Sequence, residues 1–233
     1  MTNAACYRAF GRDFHIEPAS AQHANSVFQD EYRIRELRQH DVRTIVDVGA
    51  HVGSFTVLCH EWWPEAKIVA VEPHPESFEL LERNTAHISE SQLLRINAAV
   101  TSFDGKCLLA SAVSHSRVGE YVIEVWNELE PRFDGFGVEA TAISVETLWE
   151  RVQKFGVEHV DLLKLDCEGA EYGILEGLAA TGRLADVGWI RGEWHGRVHR
   201  PRIAKALAET HVAHVDSNAP HECGLFVGHR MSS

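Results

Sequence analysis

The run Thr44–Phe55, TIVDVGAHVGSF, constrains this chain more than any other stretch. An apolar segment ends at Asp47, turns through Gly49 and Gly53, and opens into a helical pattern. A strand, a tight glycine turn and a helix start form the mouth of a nucleotide-type cofactor site in an α/β sheet. The spacing narrows the choice of cofactor. A dinucleotide fingerprint begun at Gly49 requires glycine at two positions that here hold His51 and Ser54. The turn instead reads acid-x-G-x-x-x-G, from Asp47 to Gly53, and need not wrap a pyrophosphate.

With 233 residues the chain is long enough for one large α/β domain with a full core. Strand patterns fall at Thr44–Val48, Ile68–Glu72, Leu93–Val100, Val160–Asp166 and Val187–Trp194. Helical patterns follow them near Ser54–His60, Pro75–His87, Glu171–Ala180 and Arg202–Thr210. His211–Val215 and Gly224–Gly228 can close the sheet as a hairpin. This alternation predicts a mostly parallel seven-stranded sheet with helices on both faces and its strand ends along one rim. Ser102–Ile143 breaks the alternation, with β-like runs at Cys107–Val113, Tyr121–Val125 and Val138–Ile143. It is read as an inserted set of antiparallel strands beside the rim. Residues 1–40 are expected to be a helical extension of a domain spanning 41–233, with 102–143 as the insertion. Its helix, Gln22–His40, either covers a sheet edge or acts as a lid that contributes Tyr32 or Arg33.

The strand ends supply candidate binding groups. S-adenosylmethionine (SAM) carries no phosphate, so the looser glycine turn suits it. Gly49 lets the backbone approach a ligand, and Gly53 permits close packing. The helix opening at Ser54 offers free N–H groups and a positive dipole end to the methionine carboxylate. Asp47, Ala50, His51 and Phe55 complete the turn, with His51 a possible donor to that tail. Glu72, ending the second strand before Pro73, is placed to accept from both ribose hydroxyls and disfavours a 2′-phosphate. Asn97 and Ala98 lie near the adenine by position.

The fourth strand, VDLLKLDCEGAE from Val160 to Glu171, is unusual for a buried strand. Alternation points Lys164, Asp166 and Glu168 to one side. Buried charges need partners, so mutual pairing or ligand contact is expected. Asp166 is therefore counted both with the cofactor site and with the catalytic groups. The fifth strand ends in Arg191-Gly192-Glu193-Trp194-His195, with Glu193 and His195 on one side. His195 is the candidate general base. Asp166, Glu193 and His195 offer an alternative set for a magnesium-type ion. Nothing in the spacing fixes such a geometry, so no metal ligand is assigned. Arg191, Arg197, His199, Arg200 and Arg202 form a basic run that either meets an anionic acceptor or is solvated. Trp126, Phe133, Phe136 and Trp194 either stack on an acceptor ring or pack.

Val46–Asn84, together with DLLKLDCEGAEYGILEG at Asp161–Gly177, resembles the FkbM family of SAM-dependent methyltransferases. The likeness covers most of residues 44–194. Members commonly carry asparagine where this chain has His51. The resemblance implies a class I methyltransferase, Rossmann-like fold. It also implies mostly O-methylation of hydroxyls on sugars or natural-product intermediates. Other readings are an N-methyltransferase on a small molecule, a non-catalytic SAM-binding protein, or a nicotinamide-dependent oxidoreductase. The missing turn glycines argue against the last.

Formal net charge is -12, which argues against a phosphate backbone as substrate and leaves a small-molecule acceptor as the expected partner. No apolar run is long enough to span a bilayer, and the N-terminus lacks a signal-peptide pattern. The five scattered cysteines form no C-x-x-C pair, so a reduced, cytoplasmic protein is expected. No feature sets an oligomeric state.

Overall fold

The computed structural model describes residues 4–111, 121–124, 137–196, 200–216 and 223–231. The chain opens with a hairpin of β1 (Ala5–Ala9) and β2 (Arg12–Ile16). Its two-residue turn places Phe10 and Gly11 at φ 49° and 76°, the left-handed pair that matches strand twist. Helix α1 (Ala21–Phe28) follows, then a 3-10 turn at Arg35–Gln39.

The helical extension expected over residues 1–40 thus opens with a hairpin, and its helix stops well before His40. The cause is local. Asp30 adopts φ 79°, and its Oδ1 accepts the N–H groups of Ile34 (2.7 Å) and Arg35 (2.9 Å). That side-chain turn competes with continued helix. Val27, Tyr32, Ile34 and Leu37 then pack with Ile45, Phe55 and Leu58. Asp30→Ala removes both bonds and is expected to cost about 1–3 kcal/mol in urea unfolding. An unchanged midpoint would show that apolar packing alone holds this segment.

The main elements then follow in order. They are β3 (Thr44–Val48), α2 (Ser54–Trp62), β4 (Lys67–Val71), α3 (Pro75–Asn84), β5 (Leu93–Ile96) and β6 (Ala99–Thr101). Next come β7 (Gly105–Ser111), β8 (Tyr121–Glu124), β9 (Gly137–Ser144), α4 (Val145–Lys154), β10 (Val160–Leu165) and α5 (Glu171–Ala180). The described chain ends with β11 (Val187–His195), α6 (Arg200–Leu207), β12 (His211–Val215) and β13 (Cys223–Arg230).

The seven-stranded sheet runs β12-β13-β11-β10-β3-β4-β5, with only β12–β13 and β13–β11 antiparallel. Its central strands are apolar on both faces because helices cover both. Val46, Val69 and Leu163 face one core, while Ile45, Ile68 and Leu162 face the other. The order reverses between β3 and β10, which makes their ends the topological switch point where α/β sheets bind ligands.

The expected strand Leu93–Val100 is cut in two. β5 joins the main sheet and β6 joins a second sheet, β6-β9-β7-β8. Asn97 makes the break: its Nδ2 donates to the carbonyls of Glu72 (2.8 Å) and Pro73 (3.2 Å), turning the chain at the rim. The insertion is largely antiparallel, as expected, with β6–β9 its parallel pair. Among the described residues, no helix is long and apolar enough to cross a membrane.

Candidate active site

The rim at the ends of β3, β4, β10 and β11 gathers most of the expected residues. Gly49 follows β3 at φ 76°, and a Cβ there would lie 1.7 Å from the Asp166 carbonyl oxygen. Only glycine lets the turn pass the end of β10. Gly53, at φ 88°, starts α2, and its missing side chain makes room for Leu81 of α3. Between them His51 sits at φ 50°, a left-handed state in which His, like Asn and Asp, is enriched. Burial pushes its imidazole down to about 4, aided by His23. Ala50 is buried and donates its N–H to the Val71 carbonyl at 3.0 Å.

Glu72 buckles this turn to the end of β4. Its two oxygens accept the N–H groups of His51 and His74, both at 2.8 Å. Burial pushes the carboxyl up to about 7 against those donors. Asn97 ties Glu72 and Pro73 together as described, and Ala98 is buried beside them. At the start of α2 the helix has no side-chain cap, and the buried Ser54 Oγ has no hydrogen-bond partner. Phe55 is buried and meets Tyr32 edge-on, ring centroids 5.4 Å apart.

Two expected site residues lie beneath the turn rather than in its opening. Asp47 is fully buried; its Oδ2 accepts the Thr56 hydroxyl at 2.7 Å, and its Oδ1 pairs with Lys164 Nζ at 3.3 Å. Lys164 Nζ also donates to the Gly49 carbonyl at 2.5 Å and lies 4.0 Å from Asp166 Oδ2. Burial alone would lower the ammonium's pKa, but Asp47 and Asp166 outweigh it and hold it above the ordinary value. Lys164 is therefore a clasp under the glycine turn, not a group that meets substrate.

The acceptor side is built from β10, β11 and the segment after α1. Alternation along an extended strand does not place Glu168, because β10 ends at Leu165 and Glu168 turns in at φ 54°. It nevertheless reaches His195, with Oε2 at 3.5 Å from Nε2. Asp166 Oδ1 lies 4.0 Å from the same nitrogen, while its Oδ2 accepts the Tyr32 hydroxyl at 2.5 Å. His195 Nδ1 contacts Glu171 Oε1 at 3.0 Å. Glu171 is buried and also accepts the N–H groups of Cys167 (2.8 Å) and Gly169 (3.0 Å).

The electrostatics follow from crowding. Burial opposes charge on His195, yet Glu171, Glu168 and Asp166 raise it to about 10. Burial pushes Glu168 up to about 8 despite His195. Glu31 rises to about 7 through burial and the neighbouring Glu193 and Asp166. Glu193 is raised by burial and by Asp166.

Sequence reasoning missed Glu171 and Glu31. Glu171 is the second acid of C-E-G-A-E, and that repeat was the one signal that could have marked it. The basic run does not form a patch among the described residues. Arg191 is buried against Glu36 (2.7 Å), and Arg202 pairs with Glu176. Arg200 lies over the Trp194 ring at 5.9 Å, and Trp194 is core. Arg197, His199, Trp126, Phe133 and Phe136 lie outside the described residues.

A sheet with this order, a glycine turn at its switch point and an acid ending the next strand define a class I methyltransferase. The chain belongs to the FkbM methyltransferase family: residues 47–215 match the Methyltransferase FkbM domain. The matched segment is a methyltransferase domain. Methyltransferase sdnD of Sordaria araneosa is 30% identical over 158 residues, covering 58% of this chain and 60% of that relative. The 31-O-demethyl-FK506 methyltransferase FkbM of Streptomyces tacrolimicus is 25% identical, covering 92% of this chain and 83% of its own. The fold also matches the crystal structure of M. jannaschii TYW2 in complex with AdoMet. There the TM-score is 0.51 and the identity 10%, over 99% of this chain and 88% of that one.

Proposed function

We propose that this enzyme moves the methyl group of SAM to a hydroxyl oxygen of a small acceptor, a sugar or natural-product intermediate. The observation that carries the reading is His195. A buried carboxylate holds its Nδ1, so its Nε2 faces the rim beside the cofactor turn. A hydroxyl is a weak nucleophile, and a fixed imidazole is the group that takes its proton. The Streptomyces relative, named for a 31-O-demethyl substrate, supports oxygen as the acceptor atom.

The residues fit the donor. Glu72 retains a second lone pair on each oxygen for the ribose hydroxyls. The uncapped start of α2 and the unpartnered Ser54 hydroxyl suit the methionine carboxylate. Pro73, Asn97 and Ala98 would border the adenine. Ala50, His51 and Phe55 shape the turn, and Asp47 supports it from below. Bound SAM supplies an electrophilic methyl on a sulfonium that leaves as the neutral thioether S-adenosylhomocysteine. The protein's part is chiefly alignment, worth up to ~7–11 kcal/mol when two reactants are held for in-line attack. In its neutral form His195 Nε2 takes the hydroxyl proton, and Glu171, Glu168 and Asp166 stabilise the imidazolium formed; because they raise its pKa to about 10, turnover should climb as pH rises toward that value. The scattered cysteines, with no C-x-x-C pair among them, support a reducing compartment such as the cytoplasm.

The direct test supplies methyl-labelled SAM with matched panels of hydroxylated and amine acceptors. Label in an alkali-stable methyl ether is expected. Label only in methylamines, or tight SAM binding with no transfer, would overturn oxygen as the target. For the donor site, Glu72→Ala should weaken SAM binding by about 10–100-fold, as loss of hydrogen bonds to a charged group implies. Native affinity by calorimetry would remove Glu72 from the ribose.

Glu72 also predicts a pH dependence. Its folded pKa of about 7 lies above the ordinary 4.5, so the folded chain without SAM holds an extra proton between those values. The stability contributed by that proton is lost as pH rises through the window. SAM favours the ionised carboxylate, so its affinity should rise with pH up to about 7 and then level. Glu72→Gln should flatten that slope.

A further inference from the structure

We propose that Asp166, Glu168 and His195 form a binding site for a divalent first-row transition-metal ion, with Asp166 Oδ1, Glu168 Oε2 and His195 Nε2 as ligands. These atoms all lie within 4.8 Å of one another. His195 Nε2 is 3.5 Å from Glu168 Oε2 and 4.0 Å from Asp166 Oδ1. Metal–ligand bonds of about 2.1 Å set ligand atoms roughly 3–4 Å apart, so little movement is needed.

The far atoms of two of these side chains are anchored. Tyr32 donates to Asp166 Oδ2 at 2.5 Å, which leaves Oδ1 facing the cluster. Glu171, itself buried, takes His195 Nδ1 at 3.0 Å, which turns Nε2 inward. A carboxylate behind a histidine is the arrangement that orients metal-binding imidazoles. It does nothing for a surface ion pair that needs no fixed direction.

Charge supplies an independent reason. The Asp166 side chain is nine-tenths buried, with 10% exposed, and among the described residues its Oδ1 accepts no hydrogen bond. Among the described residues Glu31 Oε2 is buried and accepts no hydrogen bond, with His23 Nδ1 4.0 Å away. Asp166, Glu168 and Glu171 thus crowd His195 and Lys164 at one rim, with Glu31 and Glu193 close enough to feel Asp166. Lys164 is already engaged by Asp47 and the Gly49 carbonyl. Carboxylates in surplus at a partly buried site call for a further cation.

Two carboxylates and one imidazole suit Mn²⁺, Fe²⁺ or Zn²⁺ better than Ca²⁺. Only part of the coordination sphere comes from protein, so open positions remain for acceptor oxygens. The inference rests on reading this rim as the acceptor end. The ion and the hydroxyl proton compete for the one His195 Nε2, so in the ion-loaded enzyme the cation would hold the acceptor oxygen and lower its pKa, and the hydroxyl proton would leave to water.

The test uses the full chain, stripped with chelator and titrated with Mn²⁺ and separately with Zn²⁺ by calorimetry. S-adenosylhomocysteine binding is measured on the same preparations. One ion per chain is expected. Glu168→Gln and His195→Ala should weaken its binding by at least about 10–100-fold, and Glu171→Gln, acting through His195, by about tenfold. These variants should keep native S-adenosylhomocysteine affinity, which separates ligand loss from misfolding. No uptake of either ion up to about 1 mM would overturn the proposal, as would uptake unchanged in His195→Ala. Ion uptake without S-adenosylhomocysteine binding would instead sink the donor-site reading and leave the metal site standing.

Discussion

Lys164→Met is expected to destabilise the fold by about 3–5 kcal/mol, the cost of leaving a buried charge without its partner. The ammonium is buried, pairs with Asp47 at 3.3 Å and donates to the Gly49 carbonyl at 2.5 Å. Asp166 is 4.0 Å away and gains from the same charge. Methionine matches the length of the lysine stem, so packing is mostly kept and the loss is electrostatic. Adding Asp47→Asn removes the stranded carboxylate and should return part of the stability, a coupling of roughly 0.5–3 kcal/mol in a double-mutant cycle. Urea unfolding of the four proteins checks both numbers. A single-variant loss below about 1 kcal/mol would mean the pair behaves like an exposed ion pair, and the clasp beneath the glycine turn would not exist.

That clasp shows how far sequence could go. An apolar strand interrupted by Lys164 and ending in acids announces buried charge, and the need for partners follows from solvation alone. Which partner it takes does not follow, because Asp47 belongs to a strand more than a hundred residues earlier. The same limit separates the rest. Parallel order, the glycine turn and Glu72 at the rim were legible because each depends on local pattern and on general rules of α/β connection. The Asp30 turn was not, since a capping side chain and a helical surface residue look alike in a periodic window. Strand alternation does not bring Glu168 to His195: the chain reaches it through a left-handed residue after β10 has ended. Arg191 looked like part of a basic patch, yet only the return of β13 and the 3-10 turn shows that its guanidinium is enclosed by Gly228 and Glu36.

His195→Ala is expected to slow methyl transfer by about 10²–10⁴-fold, the usual contribution of a placed proton acceptor. SAM affinity should stay within about threefold of native, below the ~1 kcal/mol that marks a lost contact, because the imidazole is not among the groups assigned to the donor. His195→Gln sharpens the test. Its amide can fill the space and accept a hydrogen bond, but it cannot carry a proton, so it should be about as slow as alanine. Free imidazole should restore part of the rate to the alanine variant, where the space is open, and little to the glutamine one. Glu171→Gln keeps the shape of the side chain while weakening its hold on Nδ1. It should lower kcat and leave KM for SAM unchanged, the signature of a positioning residue. If rate and SAM affinity fell together in all three variants, the cluster would be part of the donor pocket's scaffold. Turnover preserved in His195→Ala would remove His195 from the proton transfer and move the acceptor hydroxyl to another part of the rim.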